Sequence, residues 1–436
     1  MDGTSTLSEP LHVDTFRDST PLVSQKSKYF YFFIPADWVY KIDHPVNVNN
    51  HALATIFLLL NTMIGAGVFV QAHIFRKSGV VIMLFEYLII GYLNLTGCII
   101  LMHCSERKKI YEYSALTEMI LGTNGAITVD VCIALGNYGN LIVYILLLGS
   151  LLTDVFKHCS SWYCSVEFLT ILPVLTIAVP FCLIRKFGHL SEVAYVSIGV
   201  IFAVVLLVVI GGPLEDNSGS GNVNLGDFVG TIQSVGGVIF ALGYITGFFP
   251  AFNALEDKTM SNYETIFTTA SIIGVSICFI TGLAGYLSFT SDTETNILEN
   301  FDGSLGGFFK LAVVGHLLLY LPGDFVIMRD SLLKISKQQV EDLSDPVYFT
   351  WTLVLFGTVT LIALILQISL GQGGGVIGVI NITGGVLGSV IYFIIPGLCG
   401  IVELGKEAKD YIYEKSVALV VFGFAAVVVV VAGIAI

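Results

Sequence analysis

The sequence predicts an all-α, polytopic membrane protein of eleven transmembrane helices, built as a five-plus-five inverted repeat with the first and sixth spans interrupted. Three observations carry this expectation. The 436 residues are 55% hydrophobic and only 12% charged, with mean hydropathy +0.84, which leaves too little polar surface for a soluble chain of this size. Apolar runs of bilayer length recur along the chain. Glycines gather in the first and sixth of those runs, where an interior glycine costs a helix about 1 kcal/mol against alanine. Two inverted repeats of five spans would bring those two runs face to face.

Residues 1–53 are expected to form a cytosolic, disordered tail, polar and Ser/Thr-rich, without the apolar core and cleavage site of a signal peptide. Residues 54–436 make the transmembrane domain. Its apolar runs lie near 54–75, 79–102, 126–152, 166–184, 192–212, 230–253, 264–289, 306–328, 348–370, 376–400 and 416–436, the ninth and tenth separated only by the glycines of 371–375. All of the Lys and Arg residues except Arg76, Lys77, Lys157 and Lys310 fall on the tail's side, so positive charge places the N-terminus in the cytosol. The other face carries Glu215, Asp216, Asp227, Asp292, Glu294, Glu299 and Asp302, read as a solvated acidic rim. Glu256 and Asp257, just after span six, read as cytosolic helix-end acids, and Asp130 and Asp154 bracket span three at its interfaces.

A net charge of −13 excludes a nucleic-acid partner. Six cysteines lie in or beside apolar runs as small hydrophobes, while Cys159 and Cys164 share an outer loop where a bridge is chemically permitted. No Cys/His cluster has metal-binding spacing, no cofactor is implied, and no nucleophile–base pair appears at membrane depth, so an enzyme is excluded. The sequons at Asn94 and Asn381 both lie inside spans.

The first break is Asn61-Thr62-Met63-Ile64-Gly65-Ala66-Gly67. The second is Phe240-Ala241-Leu242-Gly243-Tyr244-Ile245-Thr246-Gly247, preceded by Gly236 and Gly237 and closed by Pro250; close helix packing is the alternative explanation of its glycines. Half-helix N-termini suit a carboxylate and freed carbonyls suit an ammonium or metal cation, so such a pair can hold both ends of a zwitterion by backbone alone. An amino acid is therefore the expected substrate class, its side-chain selectivity left to whatever lines the cavity. Its candidate contacts are Ile64, Gly65, Ala66 and Gly67 in the first break and Phe240, Ala241, Gly243 and Tyr244 in the second, with aromatic packing the alternative for Phe240 and Tyr244. Asn137, Asn140 and Tyr144 recur at helical spacing in span three and would line the cavity or hydrogen-bond to neighbouring helices.

A charge at bilayer depth is costly and usually functional. Asp324 in span eight and His316, about two turns earlier, are candidates for ion coupling, as is Glu86 in span two. The bland alternatives pair Asp324 with Arg329, make His316 a packing residue and let Glu86 reach Arg76 or Lys77.

These segments resemble the amino acid/auxin permease family of secondary transporters. The first break, with its asparagine four residues before the first glycine, is similar to the family's own. Tyr113-Ser114-Ala115-Leu116 resembles its S-Y-x-x-L element with the first two residues exchanged. Asn137, Gly139 and Tyr144, then Leu321-Pro322 with Arg329-Asp330-Ser331, then Gly384-Gly385 with Phe393 and Pro396 are similar to its third, eighth and tenth spans. The likeness runs from about Asn61 to Gly400. It implies the five-plus-five fold with an eleventh span, transport of neutral amino acids, and Asn61 as a sodium ligand. In the sodium-coupled branch that asparagine works with a threonine two residues before the eighth-span proline, and here that position is Tyr320. Protons are then the alternative to sodium. The expected protein is a monomeric, alternating-access symporter of the plasma membrane or a vacuolar or lysosomal membrane. A sensor signalling through the tail and a passive channel are its competitors.

Overall fold

The structure is a computed structural model that describes residues 52–183, 190–215, 218–219, 221–256, 258–338, 340–405 and 411–435. The tail through His51 lies outside the described residues, as do Arg185, Lys186, Asp216, Asp257, Lys406 and Lys409.

The described residues are helical, with no strand among the elements. In chain order the helices are α1 (Ala52–Met63), α2 (Gly67–Ser78), α3 (Val80–Lys108), α4 (Tyr113–Leu121), α5 (Thr123–Val155) and α6 (Val166–Cys182). There follow α7 (Leu190–Leu206), α8 (Phe228–Ala241), α9 (Ile245–Ala254), α10 (Met260–Phe289) and α11 (Gly303–Ile335). The last three are α12 (Asp345–Gly371), α13 (Gly375–Glu403) and α14 (Ile412–Ala435). Nine helices among the described residues are long and apolar enough to cross a membrane, counting α8 and α9 as one, and the bent pair α1–α2 would make ten. The α6 helix is shorter; Pro173 lies inside it and a π-helical turn, Val174–Ala178, follows. The division between α12 and α13 falls at Gly371, whose φ of +70° takes the backbone out of helical geometry.

Local chemistry sets the ends. Glu112 caps α4 by accepting from Ala115 N at 2.7 Å, and Ser165 caps α6 by accepting from Phe168 N at 3.3 Å. Asp227, exposed as the rim reading expected, also caps α8 by accepting from the Val229 and Gly230 amides at 2.9 and 3.1 Å. Helix α5 is the central post, with every residue from Leu141 to Leu152 buried. On α3, α12 and α14 large apolar side chains such as Phe85, Leu88, Ile368 and Val428 are exposed, as expected where lipid is the solvent.

Ion pairs cluster where α5 finishes and α11 starts, here the distal end. Lys310 is 3% exposed, bonds the Asp154 carboxylate and donates to Phe301 O at 2.6 Å, while Lys157 bonds Asp302 at 2.5 Å. Arg76, at the end of α2, donates to Ser291 O and Thr293 O at 3.0 and 2.8 Å, pinning the α10–α11 loop. In that loop the turn Ile297–Asn300 carries Glu299, whose carboxyl burial pushes up to about 7 against the opposing hydrogen bond from Ser150. Glu299 is thus no solvated rim residue. Cys159 and Cys164 are bridged, beside the turn Trp162–Cys164, and the six remaining cysteines are buried free thiols.

Candidate substrate site

The α1 helix stops at Met63 and α2 restarts at Gly67, bent by 53°. Between them the N–H groups of Gly65 and Ala66 find no hydrogen-bond partner among the described residues. Gly67 has to be glycine for a steric reason: a Cβ there would sit 2.9 Å from Ala241 Cα and 3.1 Å from Phe240 Cδ1, so only a bare Cα lets α2 start against the end of α8. In the second break α8 stops at Ala241, Leu242 to Tyr244 leave helical geometry, and α9 restarts at Ile245.

Carboxamides bond backbone carbonyls at both breaks, at the second one a carbonyl freed by the break. Gln71, fully buried, donates to Gly67 O at 2.8 Å and reaches Gly237 O on α8 at 3.4 Å, while the Tyr87 hydroxyl donates to Gln71 Oε1 at 2.6 Å. Asn94 on α3 donates to Leu242 O at 2.5 Å. Neither role was visible in the sequence, where Asn94 stood out only as a sequon inside a span.

A cavity of about 410 Å³ lies between the breaks and α5, α11 and α13. Of the residues expected at the site, Asn61, Gly65, Ala66, Gly67, Asn140, Tyr144, Phe240, Gly243 and Asp324 line it. Thr62, Asn137, Thr246, Tyr320, Thr383 and Tyr392 also line it. Thr383 is presented by a π-helical stretch, Asn381–Gly388, that hydropathy could not single out. Leu58, Pro250, Ala254 and Ile327 continue the cavity toward the end where α1 begins, whereas α2 is buried from Gly67 to Phe75 on the distal side.

Four expected residues lie off the cavity. Ile64 and Ala241 are buried in helix contacts at 1% exposure. Tyr244 is turned to the far side of its break, its hydroxyl 3.0 Å from Ser271 Oγ and its ring 5.1 Å from Phe267. His316 faces α7, with Nδ1 3.0 Å from Ser197 Oγ, and its ring lies 5.8 Å from Tyr320. Glu86 also lies off the cavity, with Oε2 buried and without a hydrogen bond, while Arg76 is engaged by the α10–α11 loop.

Asp324 is the one charged side chain among the lining residues. It is 7% exposed, and Oδ2 accepts from Asn140 Nδ2 at 3.1 Å and from the Tyr144 hydroxyl at 3.0 Å. Arg329, the partner the sequence offered, bonds Asp330 at 2.9 Å and the Tyr348 hydroxyl at 2.7 Å instead. Asn137 donates within its own helix, to Ile133 O at 2.8 Å. Asn61 has its side-chain Oδ1 buried and unbonded, while its backbone carbonyl accepts from the Tyr320 hydroxyl at 3.1 Å.

Comparison with known proteins agrees with this architecture. The Arabidopsis thaliana "Amino acid transporter AVT6E" is 24% identical over 408 residues, covering 88% of this chain and 83% of that protein. The Rattus norvegicus "Sodium-coupled neutral amino acid transporter 7" is 21% identical over 403 residues, covering 87% and 85%. Among solved structures, MhsT in complex with L-phenylalanine shares the fold at TM-score 0.58 and 11% identity, over 88% of this chain and 98% of that one. The model of the family described as transmembrane amino acid transporter protein matches residues 49–436, nearly the whole membrane domain, and the chain therefore belongs to that family, the amino acid/auxin permeases.

Proposed function

We propose that this protein is a secondary active transporter that moves a small neutral amino acid by alternating access, driven by a proton or sodium gradient. The observation that carries the proposal is the pair of unpartnered N–H groups at Gly65 and Ala66 facing a cavity that also holds one buried carboxylate. The amides and the N-terminus of α2 would take the substrate carboxylate. Backbone carbonyls at the breaks would take its ammonium. Asp324 would take the coupling cation, as a proton on the carboxylate or as sodium shared with Asn61. The Tyr320 hydroxyl on the Asn61 carbonyl occupies one oxygen that sodium would use, which favours the proton. The relatives' names, one a sodium-coupled neutral amino acid transporter, support the substrate class.

The nine spans, the bent pair and α6 add up to the eleven crossings of a five-plus-five repeat, with the two breaks as its paired halves. With the tail in the cytosol, the cavity's extension toward the start of α1 makes this the inward-facing state. The protein works as a monomer in the lipid bilayer, in a plasma or vacuolar or lysosomal membrane. Purified protein in liposomes, given labelled amino acids under separately imposed pH and sodium gradients, should accumulate at least one neutral amino acid above equilibrium under one of them. Failure of every amino acid under both gradients would overturn the proposal.

A further inference from the structure

The cavity is rich in acceptors and has no lysine, arginine or histidine among its lining residues. Asp324 Oδ2 is taken by Asn140 and Tyr144, and no further hydrogen bond reaches the carboxylate, so Oδ1 faces the cavity. Tyr320, which bonds the Asn61 carbonyl, lies one helical turn before Asp324 on α11 and lines the same cavity. A buried carboxylate at bilayer depth demands a positive charge whenever the cavity closes around it.

Asp324 is also close to the break. The Tyr144 hydroxyl is 3.0 Å from Asp324 Oδ2 and would be 3.4 Å from a Cβ on Gly65, so a single hydroxyl separates the first break from the carboxylate. A substrate anchored by its carboxylate at Gly65 and Ala66 therefore has Asp324 within reach of a flexible four-carbon stem ending in an ammonium. At about 410 Å³ the cavity falls in the roughly 300–1,000 Å³ range of small-molecule sites.

Resting on the transporter reading above, we propose that the Asp324 carboxylate takes one positive charge from either of two sources. One is a coupling cation accompanying a neutral amino acid. The other is the side-chain cation of a dibasic amino acid such as lysine or ornithine, which is then carried without the coupling ion. Both substrates move one net positive charge per turnover, but only the neutral one moves an ion with it.

The test uses the full chain in liposomes with labelled norleucine and labelled lysine, which differ at the chain end in methyl against ammonium. Ion and charge entry per molecule are read with a pH dye, a sodium tracer and a potential dye. The expected result is one charge per molecule for both, one coupling ion per norleucine and none per lysine, with lysine slowing norleucine uptake. Lysine that carries the same ion as norleucine, or that fails to slow norleucine at a hundredfold excess, overturns the proposal. In Asp324→Asn the lysine concentration that halves norleucine binding should rise at least tenfold relative to the norleucine self-competition value; an equal shift of both overturns it. Should that variant not fold, the ion count per lysine in the unmodified protein decides alone. Entry of neither substrate under any gradient is a distinct outcome, which fells the transporter reading itself.

Discussion

The break between α1 and α2 bends its span by 53°, whereas the break between α8 and α9 leaves both halves inside one 27-residue span, Phe228–Ala254. The carboxamides beside them also differ. At the bent break Gln71 belongs to the same span, one turn into α2, and reaches α8 through Gly237 O. At the straighter break the donor, Asn94, comes from α3 and takes the freed Leu242 carbonyl. Helix α3 serves both, since Tyr87, which donates to Gln71, lies two turns before Asn94 on one face. The bent break is thus tied to both α3 and α8, the second break through Asn94 to α3. The contrast teaches that glycine content marks where a helix can break, and that the carboxamides tie each break to its neighbours.

That contrast can be broken at three strengths. Gly67→Ala should have the largest effect, about a hundredfold loss of initial uptake in liposomes, because its Cβ meets the Ala241 backbone at 2.9 Å and neither helix can yield cheaply. Next, Asn94→Leu leaves the Leu242 carbonyl buried and unpaired and should lower stability by about 1–3 kcal/mol in thermal unfolding. Gln71→Leu should cost a similar amount, because it leaves the buried Tyr87 hydroxyl without its acceptor, and in addition raise KM, because it unties α2 from α8 beside the amide pair; equal KM values for the two variants would erase the distinction between the breaks. The smallest effect belongs to Gly65→Ala, under about fivefold in KM, since its Cβ makes only an ordinary 3.4 Å contact with the Tyr144 hydroxyl. A loss as deep as that of Gly67→Ala would show that the first break needs both glycines for conformation rather than clearance.

The spans were legible in the sequence because hydropathy over bilayer length needs no tertiary information, and glycine placement located the first break within a residue or two. The second break was read too broadly: the departure from helix occurs at Leu242 to Tyr244, inside the expected stretch from Phe240, while its last glycine, Gly247, lies inside α9, where a Cβ would press on Thr62. Asp324, Asn140 and Tyr144 could be nominated singly, as costly polar groups at membrane depth, but their convergence on one carboxylate oxygen required α5 and α11 to be packed together. Tyr244 and His316 were misplaced for the opposite reason. Each is a polar residue that hydrogen-bonds on the far side of its helix, to Ser271 and to Ser197, and a one-dimensional reading has no access to which side that is. Gln71 and Asn94 carried no signal of their own, since their partners are backbone atoms.

The raised carboxyl of Glu299 makes the packing of the loop between α10 and α11 a thermodynamically linked quantity, sensitive to the acidity of the compartment it faces. Its folded value of about 7 lies above the ordinary 4.5, so the stability it contributes is complete below about 4.5 and is lost as pH rises through 7. A shift of that size corresponds to up to about 3 kcal/mol. Thermal unfolding followed from pH 5 to 8 should therefore show progressive weakening, and Glu299→Gln should flatten the profile; an unchanged profile would exclude this residue as the titrating group. In acid the same loop is packed more firmly than at neutral pH, with no change in its contacts.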